Sequence, residues 1–312
     1  MFMRLPSCFL HSILFTLLII NSAVISAQTI LNNVPEAFEK IATTPHLIHL
    51  KSNSVKIPSG GHLQGIQCLS DSVAIITASS GSYSYYITAP LYGGKVSTPQ
   101  KITNSPFRHA GGCQLYGHKL FVGVEDNMAK NKSDILAISF DQEGKELTKN
   151  IIAQRKGIVK RSTAGATGVT KIKSGQYLIA VGDWDSRNID FYLSKPGSDT
   201  LFDSLTTFTV FGNQKWDSYQ SINLLTDTAG NIYLIGFALD GLNNCADLFK
   251  VKLSKANAEL VPVSTRNFKC RGGAGFRYGA GLKVAASNSI TLYACSRTAK
   301  PRLTINVFSL EP

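Results

Sequence analysis

Long apolar runs are scarce in this chain. After one stretch from Phe9 to Ile20, nothing is long enough to cross a bilayer as a helix. Acidic residues are also few: 20 stand against 32 Lys and Arg, for a formal net charge of +12. That balance rules out an acidic disordered tail and points to anionic partners, such as acidic polysaccharide, lipid head groups or phosphorylated ligands. The basic residues are scattered and not interleaved with aromatics, which argues against dedicated nucleic-acid binding. Amphipathic helical periodicity is missing except in a short segment at Pro35–Thr43, with Asn33 as its cap, so bundles and coiled coils are out. No C-x-x-C pair, G-x-S-x-G or H-E-x-x-H occurs, which removes the common zinc, redox and serine-hydrolase signatures. The glycine-rich stretches at Arg271–Gly275 and Gly279–Gly281 match neither phosphate-binding fingerprint, because no helical pattern follows them.

What is present begins with an address. Met1 to Ala27 has a basic residue (Arg4), the apolar run and a small-residue end at Ser26 and Ala27. This is the layout of a cleavable secretory signal. It predicts a secreted or periplasmic protein, with residues 28–312 forming one domain and no transmembrane segment in the mature chain. Cys8 would leave with the signal, so five of the six cysteines remain and at least one is unpaired within the chain. Cys245 and Cys270 flank a predicted hairpin and are the expected disulfide; Cys68, Cys113 and Cys295 read as buried thiols.

The remainder is strand-like and repetitive. Five segments share one pattern: a small residue, a short apolar strand, a turn, and a stronger apolar strand ending in polar residues. Their anchors are Gly65, Gly112, Gly168, Ser221 and Gly279. Third strands follow at Tyr83–Ala89, Asp134–Phe140, Ile189–Leu193, Asp247–Leu253 and Leu303–Leu310. Fourth strands follow at Val96–Thr103, Glu146–Ile152, Leu205–Phe211 and Leu260–Phe268. The last segment lacks a fourth strand, and the unpartnered stretch Leu47–Ile57 is placed to supply it. Four strands recurring about every 50 residues predict an all-β, five-bladed β-propeller, with four antiparallel strands per blade and an N-terminal strand closing the last. In this pattern the chain resembles five-bladed propellers in general, a group that includes glycosidases, nucleotidases and lectins.

Antiparallel connection puts the start of each first strand and the end of each second strand on one face of the ring. Those places hold His62, Arg108, His109, Tyr219, Arg277 and Tyr278, together with Glu125, Asp183, Trp184, Asp185, Asp240 and Arg297. The imidazoles His62 and His109, with the carboxylates Glu125 and Asp183, are the candidate catalytic set, because glycan cleavage needs proton donors and acceptors. Arg108, Trp184, Asp185, Tyr219, Asp240, Arg277, Tyr278 and Arg297 are the candidate substrate contacts, with the guanidiniums suited to anions. No motif requires a cofactor, although the carboxylates would accommodate Ca²⁺.

The expected activity is that of a glycoside hydrolase or lyase on a polar, anionic glycan or a phosphorylated substrate. For a lyase, an Arg would neutralise a uronate and a His would take the neighbouring proton. A lectin-like carbohydrate- or anion-binding module and a protein-interaction platform are the alternatives. Unlike residues at equivalent places favour one composite site over five equal ones.

Overall fold

The computed structural model describes residues 29–52, 55–211 and 216–310. The expected signal, Met1 to Ala27, lies outside them. Among the described residues no helix is long and apolar enough to cross a membrane. The only α-helix described, α1 (Val34–Glu39), is capped by Asn33, whose side chain accepts from the Glu36 N–H at 3.1 Å. Its Val34, Ala37 and Phe38 are buried.

The rest is strand. β1 (His46–Lys51) precedes a first antiparallel meander of β2 (Leu63–Cys68), β3 (Val73–Ala78), β4 (Tyr83–Pro90) and β5 (Gln100–Asn104). The second comprises β6 (His109–Tyr116), β7 (Lys119–Glu125), β8 (Lys132–Phe140) and β9 (Glu146–Lys156). The third comprises β10 (Ala166–Lys171), β11 (Tyr177–Gly182), β12 (Asn188–Ser194) and β13 (Phe202–Thr209). The fourth comprises β14 (Ser221–Thr226), β15 (Ile232–Asp240), β16 (Asn243–Leu253) and β17 (Ala258–Phe268). The last runs through β18 (Ala280–Ala286), β19 (Ser289–Cys295) and β20 (Arg302–Phe308), and β1 pairs antiparallel with β20 as its outer strand. The expected closure by an N-terminal strand is therefore present, at His46–Lys51, shorter than the predicted Leu47–Ile57.

Packing explains the strand compositions. β2 is buried along its whole length because neighbouring units cover both of its faces, so its burial does not alternate and its two glutamines, Gln64 and Gln67, are buried and hydrogen-bonded. β17 lies at the rim and alternates buried with exposed positions. Apolar clusters fill the spaces between successive units, including the space between the last and the first, where Tyr293, Leu303 and Ile305 meet Ile66, Ile76 and Ile87. Sheet faces are thus buried all the way round, and the ring closes.

Small residues in the inner strands let those strands approach one another. A Cβ on Gly281 would sit 1.8 Å from the Ile66 carbonyl oxygen and 2.3 Å from Gln67 Nε2. Gly281→Ala is therefore expected to force backbone apart at the hub and lower stability by about 1–3 kcal/mol. Chemical denaturation checks this; an unchanged midpoint would mean the hub is looser than these contacts require.

The hub is filled with amides. Gln67 Nε2 donates to the Cys113 carbonyl (3.0 Å) and to Asn223 Oδ1 (3.2 Å). Gln114 Nε2 donates to the Leu224 carbonyl (2.8 Å), and its Oε1 accepts from the N–H groups of Val169 and Leu224, both at 2.7 Å. All three side chains are buried and bonded, as buried polar groups must be.

The expected disulfide does not form: Cys245 and Cys270 are both free. In the β16–β17 ladder Cys245 lies opposite Asn267, and pairing ends at Asn244↔Phe268, before Cys270 is reached. The two thiols also face different cores. Cys245 joins the cluster between the third and fourth units, whereas Cys270 packs against the one between the fourth and last.

Candidate functional site

One end of the hub opens into a cavity of about 580 Å³, within the range of small-ligand sites. Strand register builds it. His109 opens β6 and lies directly opposite Glu125, the last residue of β7, so the two side chains meet as a cross-strand pair. His62 immediately precedes β2, Arg277 and Tyr278 precede β18, and Arg297 follows β19. Trp184 and Asp185 come from the turn after β11, and Tyr219 from the approach to β14. All nine line the cavity, as do Gly165, Ser218 and Gln220.

At its centre is a line of polar groups. His62 Nδ1 donates to the Leu63 carbonyl at 2.8 Å, which leaves Nε2 as the unprotonated nitrogen. The Gln64 amide nitrogen lies between the imidazoles, 3.2 Å from His62 Nε2 and 2.8 Å from His109 Nε2. His109 Nδ1 is 3.1 Å from Glu125 Oε1. The two atoms approach closely without an aligned hydrogen bond, and both are otherwise unpartnered. Glu125 is 0% exposed and forms the floor behind His109; its Oε2 accepts from the Ala164 N–H at 2.7 Å.

Burial pushes the His62 pKa down, the Leu63 carbonyl opposes this, and His109, Arg297 and Arg277 add to the depression. The folded state therefore favours neutral His62. The unfolded chain takes up the proton near pH 6.5 while the folded chain resists it. This contribution is complete above that pH and declines as pH falls through the lower folded pKa. His62→Gln is expected to flatten that part of the stability–pH curve. Denaturation midpoints of both proteins across mildly acidic pH measure it, and parallel curves would refute it.

The walls are aromatic and cationic. Tyr278 meets the His62 ring edge-on with centroids 6.4 Å apart, and the Arg297 guanidinium lies 5.9 Å from the Tyr278 centroid. Lys130 Nζ sits 4.0 Å from the Trp184 ring centroid. Asp185 Oδ1 accepts from the Ser218 hydroxyl at 3.2 Å. Tyr219 donates its hydroxyl to Asp247 Oδ2 at 2.7 Å, and burial together with that carboxylate pushes its pKa far up, so it serves as a wall and not as a titrating group. Among the described residues, neither Arg277 nor Arg297 has a carboxylate partner.

Three expected site residues are elsewhere. Asp183 accepts from the backbone N–H (3.2 Å) and side-chain amide (2.6 Å) of Asn188, so its carboxylate shapes the turn after β11. Burial pushes its pKa up while those hydrogen bonds pull it down. Asp240 is exposed at the β15–β16 turn. Arg108 Nη1 donates to the Gly81 carbonyl at 2.8 Å, outside the cavity lining. Conversely, Gln64 bridges the two imidazoles without being marked by the repeat pattern. Strand alternation was the available signal, because residues two apart share a face and Gln64 follows His62 by two. Lys130 reaches Trp184 from a left-handed turn (φ 54°), which no sequence signal announces.

One acidic cluster among the described residues is a candidate place for calcium, and its residues do not suit that ion. Its three donor atoms, within 4.8 Å of one another, belong to Asp217, Cys245 and Asp247. Burial pushes the Cys245 thiol up to about 12, both Asp247 oxygens already accept from Tyr219 and Thr265, and calcium requires oxygen ligands.

No protein-family model matches the chain, and no curated protein matches it. Solved structures do. It is similar to an endo-arabinanase of glycoside hydrolase family 43 from Bacillus licheniformis, at 10% identity over 80% of this chain and 95% of that one, with a TM-score of 0.51. It is similar to the native arabinanase of Bacillus subtilis at 11% identity, over 81% and 96% of the two chains, with a TM-score of 0.50. Against an exo-β-1,3-galactanase from Phanerochaete chrysosporium the identity is 6% and the TM-score 0.47, and the match spans 82% of this chain but only 61% of that chain. At these identities the likeness is one of fold: the β-propeller expected from the sequence is the fold of these enzymes.

Proposed function

We propose that the chain is an exported glycan-cleaving enzyme that binds an anionic oligosaccharide in this mouth and breaks it by proton transfer at the imidazoles. The carrying observation is the line His62–Gln64–His109–Glu125 standing beside two guanidiniums that lack carboxylate partners. Proton transfer by positioned imidazoles is ordinary enzymatic chemistry. Unpaired arginines in a concave site suit a carboxylate or sulfate. Trp184 and Tyr278 bring aromatic rings to the lining, where a sugar ring could pack. The similar arabinanases supply precedent for glycan cleavage on this fold, and the apolar run Phe9–Ile20 supports export.

The test pairs acidic with neutral oligosaccharides in thermal-shift and product assays. An acidic ligand at ~100 times its dissociation constant should add ~2.7 kcal/mol of stability, and less as salt rises. Products should then accumulate. Binding without product would mean a lectin-like module, and no response to any glycan would end the proposal.

A further inference from the structure

We infer that the mouth cleaves uronate-containing glycans by β-elimination, with His62 as the base, Tyr278 as the proton donor, and Arg277 and Arg297 as the carboxylate clamp. This rests on the glycan-cleaving reading above and names its substrate class and reaction. The structure argues it first by what the mouth withholds. Hydrolysis of a glycosidic bond ordinarily uses two carboxyl groups flanking the bond. Glu125 has no exposed surface and is screened by His109, and Asp183 is bound into a turn. Asp185 alone remains as a reachable lining carboxylate. Imidazole, phenol and guanidinium are plentiful instead.

Those groups suit elimination. The hydrogen on the ring carbon next to a uronate carboxylate is only weakly acidic. It becomes removable when cations neutralise the carboxylate and stabilise the charge that develops on it. The base must therefore stand beside the clamp, since that hydrogen is attached one carbon from the carboxylate. His62 stands there: its ring meets Tyr278, Arg297 lies over that same Tyr278 ring, and Arg277 lines the same cavity. The unprotonated nitrogen of His62 is Nε2, 3.2 Å from the Gln64 amide, because Nδ1 is held by the Leu63 carbonyl. His109 has no proton to offer the mouth, because its Nε2 accepts from Gln64 and its Nδ1 faces Glu125. The donor is then Tyr278, in edge contact with His62. Gln64, His109 and Glu125 are positioning residues that hold the His62 ring.

The step balances without water. The C–H bond next to the carboxylate breaks and its proton goes to His62 Nε2. The electron pair forms a carbon–carbon double bond towards the neighbouring ring carbon. The bond from that carbon to the glycosidic oxygen breaks, and the oxygen takes the Tyr278 hydroxyl proton. One product carries an unsaturated uronate, the other a free hydroxyl. Proton return from His62 to Tyr278 resets the site.

The full chain is incubated with polygalacturonate and alginate, and with each polymer after reduction of its carboxyl groups to alcohols, in oxygen-isotope-labelled water. At least one acidic polymer should yield an ultraviolet-absorbing conjugated product without label, and the reduced polymers should stay intact. His62→Ala should lower that rate about 10²–10⁴-fold. Tyr278→Phe, which keeps the ring and so the packing, should do the same while polymer binding persists. Labelled products without the chromophore would overturn elimination yet leave glycan cleavage standing. Cleavage of reduced polymers would overturn the uronate requirement. Binding without cleavage, or no binding, would overturn the inference outright, and a fully active Tyr278→Phe would overturn its assignment of the donor.

Discussion

Asp190→Ala is expected to lower the unfolding free energy by about 3–5 kcal/mol, the largest effect of any single change at a charged residue here. Asp190 lies in β12 between two guanidiniums. Arg155 Nη2 is 2.8 Å from Oδ2; Arg161 grips both oxygens, with its Nη1 at 2.8 Å; and Thr207 donates at 2.7 Å. Arg155 is 8% exposed and also donates to the carbonyls of Thr163 and Arg161. Removing the carboxylate leaves a buried cation uncompensated, which is far worse than losing a surface ion pair. Burial raises the Asp190 pKa, but Arg161 and Arg155 outweigh it and hold the carboxyl below its usual range. Its contribution is present above the unfolded carboxyl pKa of about 3.9 and is lost as pH falls through the lower folded value. The variant should therefore lose stability most at neutral pH and converge on the parent in acid. Urea denaturation across pH measures this, and a deficit under about 1 kcal/mol at neutral pH would show that the cluster is dispensable.

Glu125→Gln is expected to lower kcat/KM by about 10²-fold while changing stability by no more than about 1 kcal/mol. Glutamine can still accept from the Ala164 N–H, so the floor of the cavity keeps its shape. What disappears is the negative charge 3.1 Å from His109 Nδ1, and with it the bias that fixes the tautomer His109 presents to Gln64. A positioning role predicts a displaced pH–rate profile with little change in KM. An unaltered profile at full rate would remove Glu125 from the site. Loss of the fold would make it a structural residue. The two predictions are linked, since the Arg155–Thr163 contact pins the segment whose Ala164 N–H holds Glu125.

The site was legible where strand register decides position. His109 and Glu125 are 16 residues apart and adjacent in space because β6 and β7 form a hairpin with those residues opposite each other. Arg277, Tyr278 and Arg297 follow from the same logic at β18 and β19. It was illegible where turns decide. Asp183 and Asp240 stand at strand ends like Glu125, but Asp183 closes its turn through Asn188 and Asp240 sits on an exposed one. Whether a carboxylate turns inward depends on one or two torsions that no spacing encodes. The disulfide expectation failed for a related reason. The β16–β17 register contains an irregularity between Leu248 and Phe249, and paired strand ends cannot be extrapolated across it to Cys270. Gln64 was hidden in a buried strand among residues that look like core.

The amides of Gln67, Gln114 and Asn223 stopper the axle of the wheel. Traffic is thus confined to a single doorway. Under the proposed activity a polymer would not be threaded from one side to the other, and each fragment would back out along the route by which it came. Departing fragments and incoming chains then compete for the same threshold, so accumulating fragments should throttle turnover competitively.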